Sequence, residues 1–218
     1  MLKSNGLSIV LLGLFLITMG GQAVTGWKVH NQDQLEHGAE AIGFASYLGT
    51  GHFQEATGEN WESEFLQMAL FVLLTTCLYQ KGSAESKRPN TVEEVDLDPR
   101  RFSGNPEAPW PVRRGGWVLR LYENSLGLTF VLLFLLSLWI HAAGGLREYN
   151  EEQAAHGQPA VSLGAYATSS QFWFESFQNW QSDFLSLAGM VIGTIFLRQR
   201  GSAESKPVHT PHADTGRA

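Results

Sequence analysis

The stretch "QKGSAESK" at residues 80–87 returns as "QRGSAESK" at residues 199–206, so the chain carries an internal repeat. At an offset of 119 positions, Leu2–Lys87 aligns with Leu121–Lys206 without a gap, and 31 of the 86 pairs are identical. Unrelated chains of ordinary composition match at roughly one position in sixteen. The chain is therefore a duplication, and an explanation of one copy should also hold for the other.

Long apolar segments occur at equivalent places in both copies. Leu7–Val24 and Leu126–Ala143 each run for 18 residues, about the length that crosses a hydrocarbon core of roughly 30 Å. Two shorter apolar segments follow, Phe65–Tyr79 and Phe184–Leu197. We predict four membrane spans, two per copy. A signal peptide is the alternative for the first segment, but its recurrence deep in the chain favours a retained span.

The basic residues predict how these spans are oriented. Of the 15 Lys and Arg residues, 13 lie before the first span, between the second and third, or after the fourth. The opposite side holds only Lys28 and Arg147, which are repeat equivalents. Because basic flanks remain in the cytoplasm, we expect both termini there and both copies crossing in the same sense, related by a pseudo-two-fold axis along the membrane normal.

The segments on the outer side keep helical residue types beyond the spans, until stop signals such as Gly157 and Pro159. The predicted fold is all-α: an integral membrane four-helix bundle of two tandem helical-hairpin repeats in the same orientation, with helices projecting on the outer side. The boundaries are repeat 1 at 1–87, a cytoplasmic linker at 88–116, repeat 2 at 117–206 and a disordered tail at 207–218.

The repeated polar stretch itself has a simple interpretation. Lys81 and Arg200 stand where the second and fourth spans reach the cytoplasmic surface, so their charges can extend to the headgroups. Gly82 and Gly201 suit the left-handed conformation that ends many helices. We expect the residues that follow to be a solvated exit from the membrane.

One polar constellation recurs at the outer ends of the second and fourth spans. "NWESEF" at 60–65 and "NWQSDF" at 179–184 place an amide, a hydroxyl and a carboxylate on one helix side. These residues form a candidate polar or ion site: Asn60, Ser63 and Glu64, with Asn179, Ser182 and Asp183. If the carboxylates meet, they would recruit a cation or shift one pKa; otherwise they are acids facing water and headgroups, beside interfacial tryptophans.

Histidines and tyrosines supply weaker candidates. His37 and His156 each close a three-residue spacing with an Asn and a Gln, which predicts a polar stripe on a helix, while Tyr47 and Tyr166 lie in the short outer loops. A transition-metal site normally needs several ligands together, so we assign no metal. Only His141 lies at membrane depth, which excludes a haem held between opposing helices. The single cysteine, Cys77, excludes an internal disulfide. We assign no cofactor and no catalytic residue.

Aromatic residues are concentrated on the outer side of the predicted bundle. The candidate contact surface consists of Trp61, Trp180, Phe172, Trp173 and Phe177. Aromatic patches standing in water usually mark contacts, and twelve acids face only two bases in the outer segments. We therefore expect a non-enzymatic protein whose acidic, aromatic cap mediates self-association or binding of an envelope protein. The alternative is a small cation, proton or solute transporter or channel using the carboxylate pair at the repeat interface. The lipid bilayer is an expected partner and nucleic acid is not.

The motifs together resemble a known family. "NGLSIVL", "NWESEFLQM", "QKGSAESK", "PWPVRRGGW", "FWFESFQNWQSDFL" and "LRQRGSAESKPV" are similar to a bacterial family of short, duplicated four-span membrane proteins known only as a domain of unknown function. The resemblance covers essentially the whole chain. It implies a bacterial inner-membrane location and no particular activity, cofactor or catalytic residue.

Overall fold

The structure, a computed structural model, describes residues 2–216, and this part of the chain is helical with no β-strand. The eight α-helices are α1 (Leu2–Glu36), α2 (Phe44–Tyr47), α3 (Gly51–Leu74), α4 (Trp110–Arg114), α5 (Gly116–Glu123), α6 (Ser125–Ala155), α7 (Leu163–Ala167) and α8 (Ser170–Phe196). Two short 3₁₀ helices, Glu94–Asp96 and Pro99–Phe102, lie in the predicted linker. The all-α class is confirmed. Met1, Arg217 and Ala218, which fall in the predicted repeat 1 and tail, lie outside the described residues.

Two helices, α1 and α6, are long and apolar enough to cross a membrane by length and composition. Their apolar stretches are largely unburied within the protein. Helix α3 ends at Leu74, before the end of the predicted second span, and α8 carries polar residues through its first half. For this reason α3 and α8 do not meet the same criterion, and the four-span arrangement stays a prediction.

The chain divides into two compact units, each drawing on both copies of the repeat. The first unit comprises Met1–Asn60 and Ser137–Glu175, and the second comprises Trp61–Leu136 and Ser176–Ala218.

Within the first unit, both copies build the same corner after the long helix. The side-chain amide of Asn31 donates to the Ile42 carbonyl (2.9 Å) and accepts from the Ile42 N–H (2.8 Å). Asn150 makes the same pair with Val161, at 3.2 and 2.8 Å. This two-point bond fixes the returning chain against the helix, because it satisfies backbone groups that a loop would otherwise leave open.

The corner then delivers a buried tyrosine onto a glycine of the long helix. Tyr47 and Tyr166 are each 1% exposed, and their hydroxyl groups occupy the space that a β-carbon at Gly26 or Gly145 would fill. Gly26 and Gly145 are repeat equivalents. A glycine is therefore required at this position for a packing reason in both copies.

Within the second unit, the repeated polar stretch, predicted to be a solvated exit, forms an ordered turn in both copies. The N–H of Gln80 donates to Ser86 Oγ, and that of Gln199 to Ser205 Oγ, both at 2.9 Å. Gly82 and Gly201 have φ values of 85° and 83°. The predicted left-handed conformation is thus present, but it lies in this turn and not at the ends of α3 and α8.

The segment predicted as a disordered tail makes defined contacts with the first copy of that turn. The Gly216 N–H donates to the Ser83 carbonyl (2.9 Å), and the Gly82 N–H donates to Thr215 Oγ1 (2.8 Å). Buried Lys206 donates through Nζ to backbone carbonyls, including that of Asp214 at 2.8 Å. Buried polar groups need such partners, which explains why the tail folds back.

Candidate functional site

Three potential ligand groups from three helices converge in the first unit. Glu55 of α3, His141 of α6 and Glu175 of α8 each offer one oxygen or nitrogen, and these atoms all lie within 4.8 Å of one another. Tyr166 of α7 completes the group. We call these four residues the Tyr166 cluster.

The tyrosine hydroxyl bridges the two carboxylates of the Tyr166 cluster. It lies 3.0 Å from Glu55 Oε1 and 3.3 Å from Glu175 Oε2, both of which accept its hydrogen bond. The same Glu175 oxygen lies 3.4 Å from His141 Nε2. Gln171, one turn earlier on α8, donates to the other Glu175 oxygen. The two carboxylates are therefore held in place by neutral donors and an imidazole.

The cluster is sheltered from solvent to different degrees. His141 is 0% exposed, whereas the two carboxylates are half-buried. The imidazole stacks on the ring of Phe172 at 4.7 Å, and Phe172 also meets the Tyr166 ring edge-on at 5.7 Å. Stacking of this kind fixes the plane of the imidazole, so its Nε2 atom stays directed at Glu175.

Glycines let the helices approach closely enough to form the cluster. A β-carbon at Gly145 would overlap the Tyr166 hydroxyl and lie 2.6 Å from Glu55 Oε1. One at Gly144 would lie 2.5 Å from the backbone nitrogen of Glu55, and one at Gly58 would overlap the backbone of His141. These three positions therefore bring α3 and α6 into backbone contact around the site.

Burial and like charge separate the protonation behaviour of the two carboxyl groups. Burial first, and then the Glu175 charge, raises the pKa of Glu55 to about 7. Burial alone would also raise the pKa of Glu175, but hydrogen bonds from His141 and Gln171 bring it below its ordinary value. The pKa of Tyr166 is raised by burial and by both carboxylates. At neutral pH Tyr166 therefore keeps its proton and can donate a hydrogen bond, while Glu175 is ionised.

The residues of the predicted ion site lie elsewhere. Asn60 is exposed in the first unit and donates to the Ala56 carbonyl at 2.7 Å. In the second unit, Ser63 is buried, Glu64 and Ser182 are exposed, and Asn179 and Asp183 are half-buried. Burial, followed by the Asp183 charge, raises the pKa of Glu64. The two carboxylates thus influence each other, but no third ligand group joins them among residues 2–216.

The residues of the predicted contact surface divide between interior and surface. Phe172 is 4% exposed and belongs to the packing of the Tyr166 cluster. Trp61 and Trp180 are half-buried, and the Trp180 indole donates to Glu62 Oε1 at 3.2 Å. Trp173 and Phe177 are exposed, as is Phe174 between them in sequence.

The histidine and tyrosine candidates lie in different environments. His37 and His156 are exposed at the ends of α1 and α6, where each Nδ1 lies 2.9 Å from the carbonyl four residues earlier. Tyr47 and Tyr166 are buried corner residues. The Tyr47 hydroxyl lies 3.0 Å from His52 Nδ1, and the ring of buried His30 is 5.4 Å from that of His52.

The three potential ligand groups of the Tyr166 cluster lie at positions where the two copies of the sequence differ. Glu55, His141 and Glu175 align with Phe174, Gln22 and Ala56, so the site is present once and not twice. Fully buried Glu62, which accepts from Ser176 Oγ at 2.8 Å, aligns with Gln181. One signal was available: Glu55, Gly58 and Glu62 share one side of α3, which places acids beside a small residue on a packed face.

Comparison with known proteins places the chain in a family without transferring a function to it. No curated protein and no solved structure matches the chain. A family model described as a domain of unknown function (DUF6766) matches residues 1–217. The all-helical chain with the Tyr166 cluster belongs to the DUF6766 family.

Proposed function

We propose that the chain is an integral membrane protein that binds a cation at the Tyr166 cluster and works as a small transporter or channel. The observation that carries the proposal is the convergence of two carboxylates and one imidazole within 4.8 Å. In this proposal the protein lies in a bacterial inner membrane and crosses it four times, with both termini in the cytoplasm.

The apolar surface of α1 and α6 supports the membrane location. Leu7, Ile17 and Leu132 are each at least 66% exposed within the protein, and many of their apolar neighbours are also exposed. Contiguous apolar surface of this extent is unfavourable in water, and contact with the hydrocarbon chains of lipids avoids that free-energy cost. Lipid is therefore the natural cover for both helices.

The electrostatics of the Tyr166 cluster support a cation as the ligand. Two half-buried carboxylates repel each other, and a buried charge normally requires a charged or hydrogen-bonded partner. A bound cation would relieve that repulsion and would be held by ligands already in place. Ionisable residues at the end of membrane helices are functional candidates for the same reason.

The proposal is tested by cation flux in liposomes containing the purified protein. We expect flux in the unaltered protein and its loss in Glu55→Gln combined with Glu175→Gln, because these changes keep the shape and remove both charges. Glu152→Gln, at an exposed position on α6, is the matched control and should keep full flux.

The repeat-related carboxylates give the comparison variant. Loss of flux in Glu64→Gln with Asp183→Asn, together with retention in the Glu55 and Glu175 variant, would move the cation site to the second unit. No flux from the unaltered protein would contradict the transport proposal altogether.

Exposed aromatic residues on α8 favour a second candidate function, contact with another copy of the chain or with an envelope protein. Phe174 is 65% exposed, and Trp173 and Phe177 are also exposed. If this surface binds a partner, Trp173→Ser with Phe177→Ser should release a co-purifying subunit in mild detergent. The exposed Trp117 of α5 provides the control substitution. Unchanged elution of both variants would argue against a contact role.

A further inference from the structure

We propose that the Tyr166 cluster binds one divalent transition-metal ion, Zn²⁺ or Mn²⁺, through Glu55, His141 and Glu175. This inference rests on the proposed function, since it names the class of cation that the site would take.

The spacing of the ligand atoms fits a small divalent ion. Zinc lies about 2.0–2.2 Å from imidazole nitrogen and carboxylate oxygen, so neighbouring ligand atoms in a tetrahedral site are about 3.4 Å apart. His141 Nε2 and Glu175 Oε2 are separated by 3.4 Å, and no pair among the three ligand atoms exceeds 4.8 Å. Inward movements of less than about 1 Å would complete the coordination.

The chemical types of the ligands select among cations. Calcium and magnesium prefer sites made of oxygen atoms alone, whereas an imidazole ligand suits transition metals. His141 supplies that nitrogen, and the two carboxylates supply a charge of −2 that a divalent ion balances. The neutral imidazole is the form of histidine that coordinates a metal ion.

Neighbouring residues hold each ligand in the manner of a supporting shell. Phe172 fixes the imidazole plane, Gln171 donates to the second oxygen of Glu175, and the Tyr166 hydroxyl reaches an oxygen of each carboxylate. Such partners orient metal ligands and tune their affinity. The site is therefore organised by residues whose own contacts are already satisfied.

The first copy of the repeat provides natural controls. At the positions equivalent to His141 and Glu175 it has Gln22 and Ala56, neither of which is a ligand for these ions. His141→Gln therefore introduces a residue that the same helical frame already accommodates. Exposed His156, one residue beyond the end of α6, is the matched control for the loss of one histidine.

The experiment uses the full chain in mild detergent after removal of metals with a chelator. Calorimetric titration with Zn²⁺ should give one site per chain. His141→Gln should weaken binding at least about tenfold, as loss of even an indirect partner often does, and His156→Gln should leave it unchanged. Elution volume and helical content show whether each variant is folded. If His141→Gln does not fold, pulsed electron paramagnetic resonance of Mn²⁺ bound to the unaltered protein still reports a coordinated imidazole nitrogen.

Two results would overturn the inference: no saturable site in the unaltered protein, or equal affinity in the His141 and His156 variants. Flux measurements on the same preparations separate its failure from failure of the proposed function. Flux of other cations without metal binding would remove only the metal assignment. Metal binding without any flux would leave the site in place and remove the transport role.

Discussion

The two tyrosine corners of the first unit share a frame and differ in chemistry. In each, an asparagine side chain makes two hydrogen bonds to the returning backbone, and a buried tyrosine packs against a glycine of the long helix. Each tyrosine also meets a phenylalanine edge-on: Tyr47 meets Phe53 at 5.6 Å, and Tyr166 meets Phe172 at 5.7 Å. The hydroxyl groups differ in their partners, because Tyr47 faces the imidazole of His52 and Tyr166 faces two carboxylates.

The two copies have the same frame, whereas the residues around the hydroxyl group differ. The frame requires an asparagine, a glycine and a tyrosine, and all three are identical in both copies. The ligand positions are not identical, and Glu55 comes from the first repeat while the other members of the Tyr166 cluster come from the second. The site is therefore a product of the pairing of the repeats and belongs to neither alone.

The largest expected effect comes from filling the space of the tyrosine hydroxyl group at either corner. Gly145→Ala and Gly26→Ala each place a methyl group where a tyrosine hydroxyl lies, and overpacking of this kind costs about 1–3 kcal/mol of unfolding free energy. Gly21→Ala, with nothing within 4 Å, is the control and should be neutral or slightly stabilising because it favours the helix. Thermal unfolding in detergent measures all three. Equal stability of Gly145→Ala and Gly21→Ala would contradict the close contact.

Removing the hydroxyl groups should affect the two corners unequally. Tyr166→Phe removes the hydroxyl group that donates to Glu55 Oε1 at 3.0 Å, and an unsatisfied, partly buried carboxyl group costs about 1–3 kcal/mol. Tyr47→Phe removes a hydrogen bond to an imidazole, a loss of about 0.5–1.5 kcal/mol. Unfolding midpoints of the two variants under the same conditions give the comparison. A larger loss for Tyr47→Phe would mean that the carboxylates do not depend on Tyr166.

Loss of the corner asparagine should destabilise both copies equally. Asn31→Ala and Asn150→Ala each remove two hydrogen bonds to one backbone residue, with an expected net cost of about 1–2 kcal/mol in each copy. Hydrogen exchange at Ile42 and Val161 should rise by similar factors in the two variants. Asn60→Ala, which changes an exposed amide, serves as the control. A marked difference between the corners would contradict the shared frame.

Much of the frame could be predicted from the sequence, and the site could not. The repeat, the helical class and the apolar character of α1 and α6 follow from residue patterns that act locally. The loop position of the tyrosines also follows, since Tyr47 and Tyr166 lie between helix stops and helix starts. The Tyr166 cluster depends instead on contacts among α3, α6, α7 and α8, which periodicity within any one helix does not encode.

The repeated acids and the convergent ligand groups are different sets of residues. Glu64 and Asp183 recur at equivalent positions, but the three convergent ligand groups occur at positions where the copies differ. Phe172 illustrates the same limit, because its place in an aromatic run predicts a surface residue, whereas stacking on His141 buries it. Divergent positions that face packed glycines are the better guide in a duplicated chain.

The smallest expected effect is the pH dependence of stability that arises from Glu55, beside the Tyr166 corner. The pKa of Glu55 is about 7 in the folded protein, against 4.5 for an ordinary glutamate. Its protonated form therefore contributes stability that is fully present below pH 4.5 and is lost as the pH rises through about 7. The charged or titratable groups facing it are Glu175, His141, Tyr166 and Glu148. Of these, Glu175 has the opposite tendency, because its pKa is lowered.

Glu55→Gln should remove this loss of stability. In chelator-treated protein, the unfolding midpoint of the unaltered chain should fall more between pH 5 and pH 8 than that of the variant, because the glutamine carries no charge to bury at high pH. The effect is modest, since the carboxylate is half-buried and partly screened by water. Glu152→Gln, at an exposed site, should follow the unaltered protein. If the Glu55 and Glu152 variants give the same pH profile, Glu55 is not held against a second negative charge, and the difference between the corners reduces to hydrogen bonding.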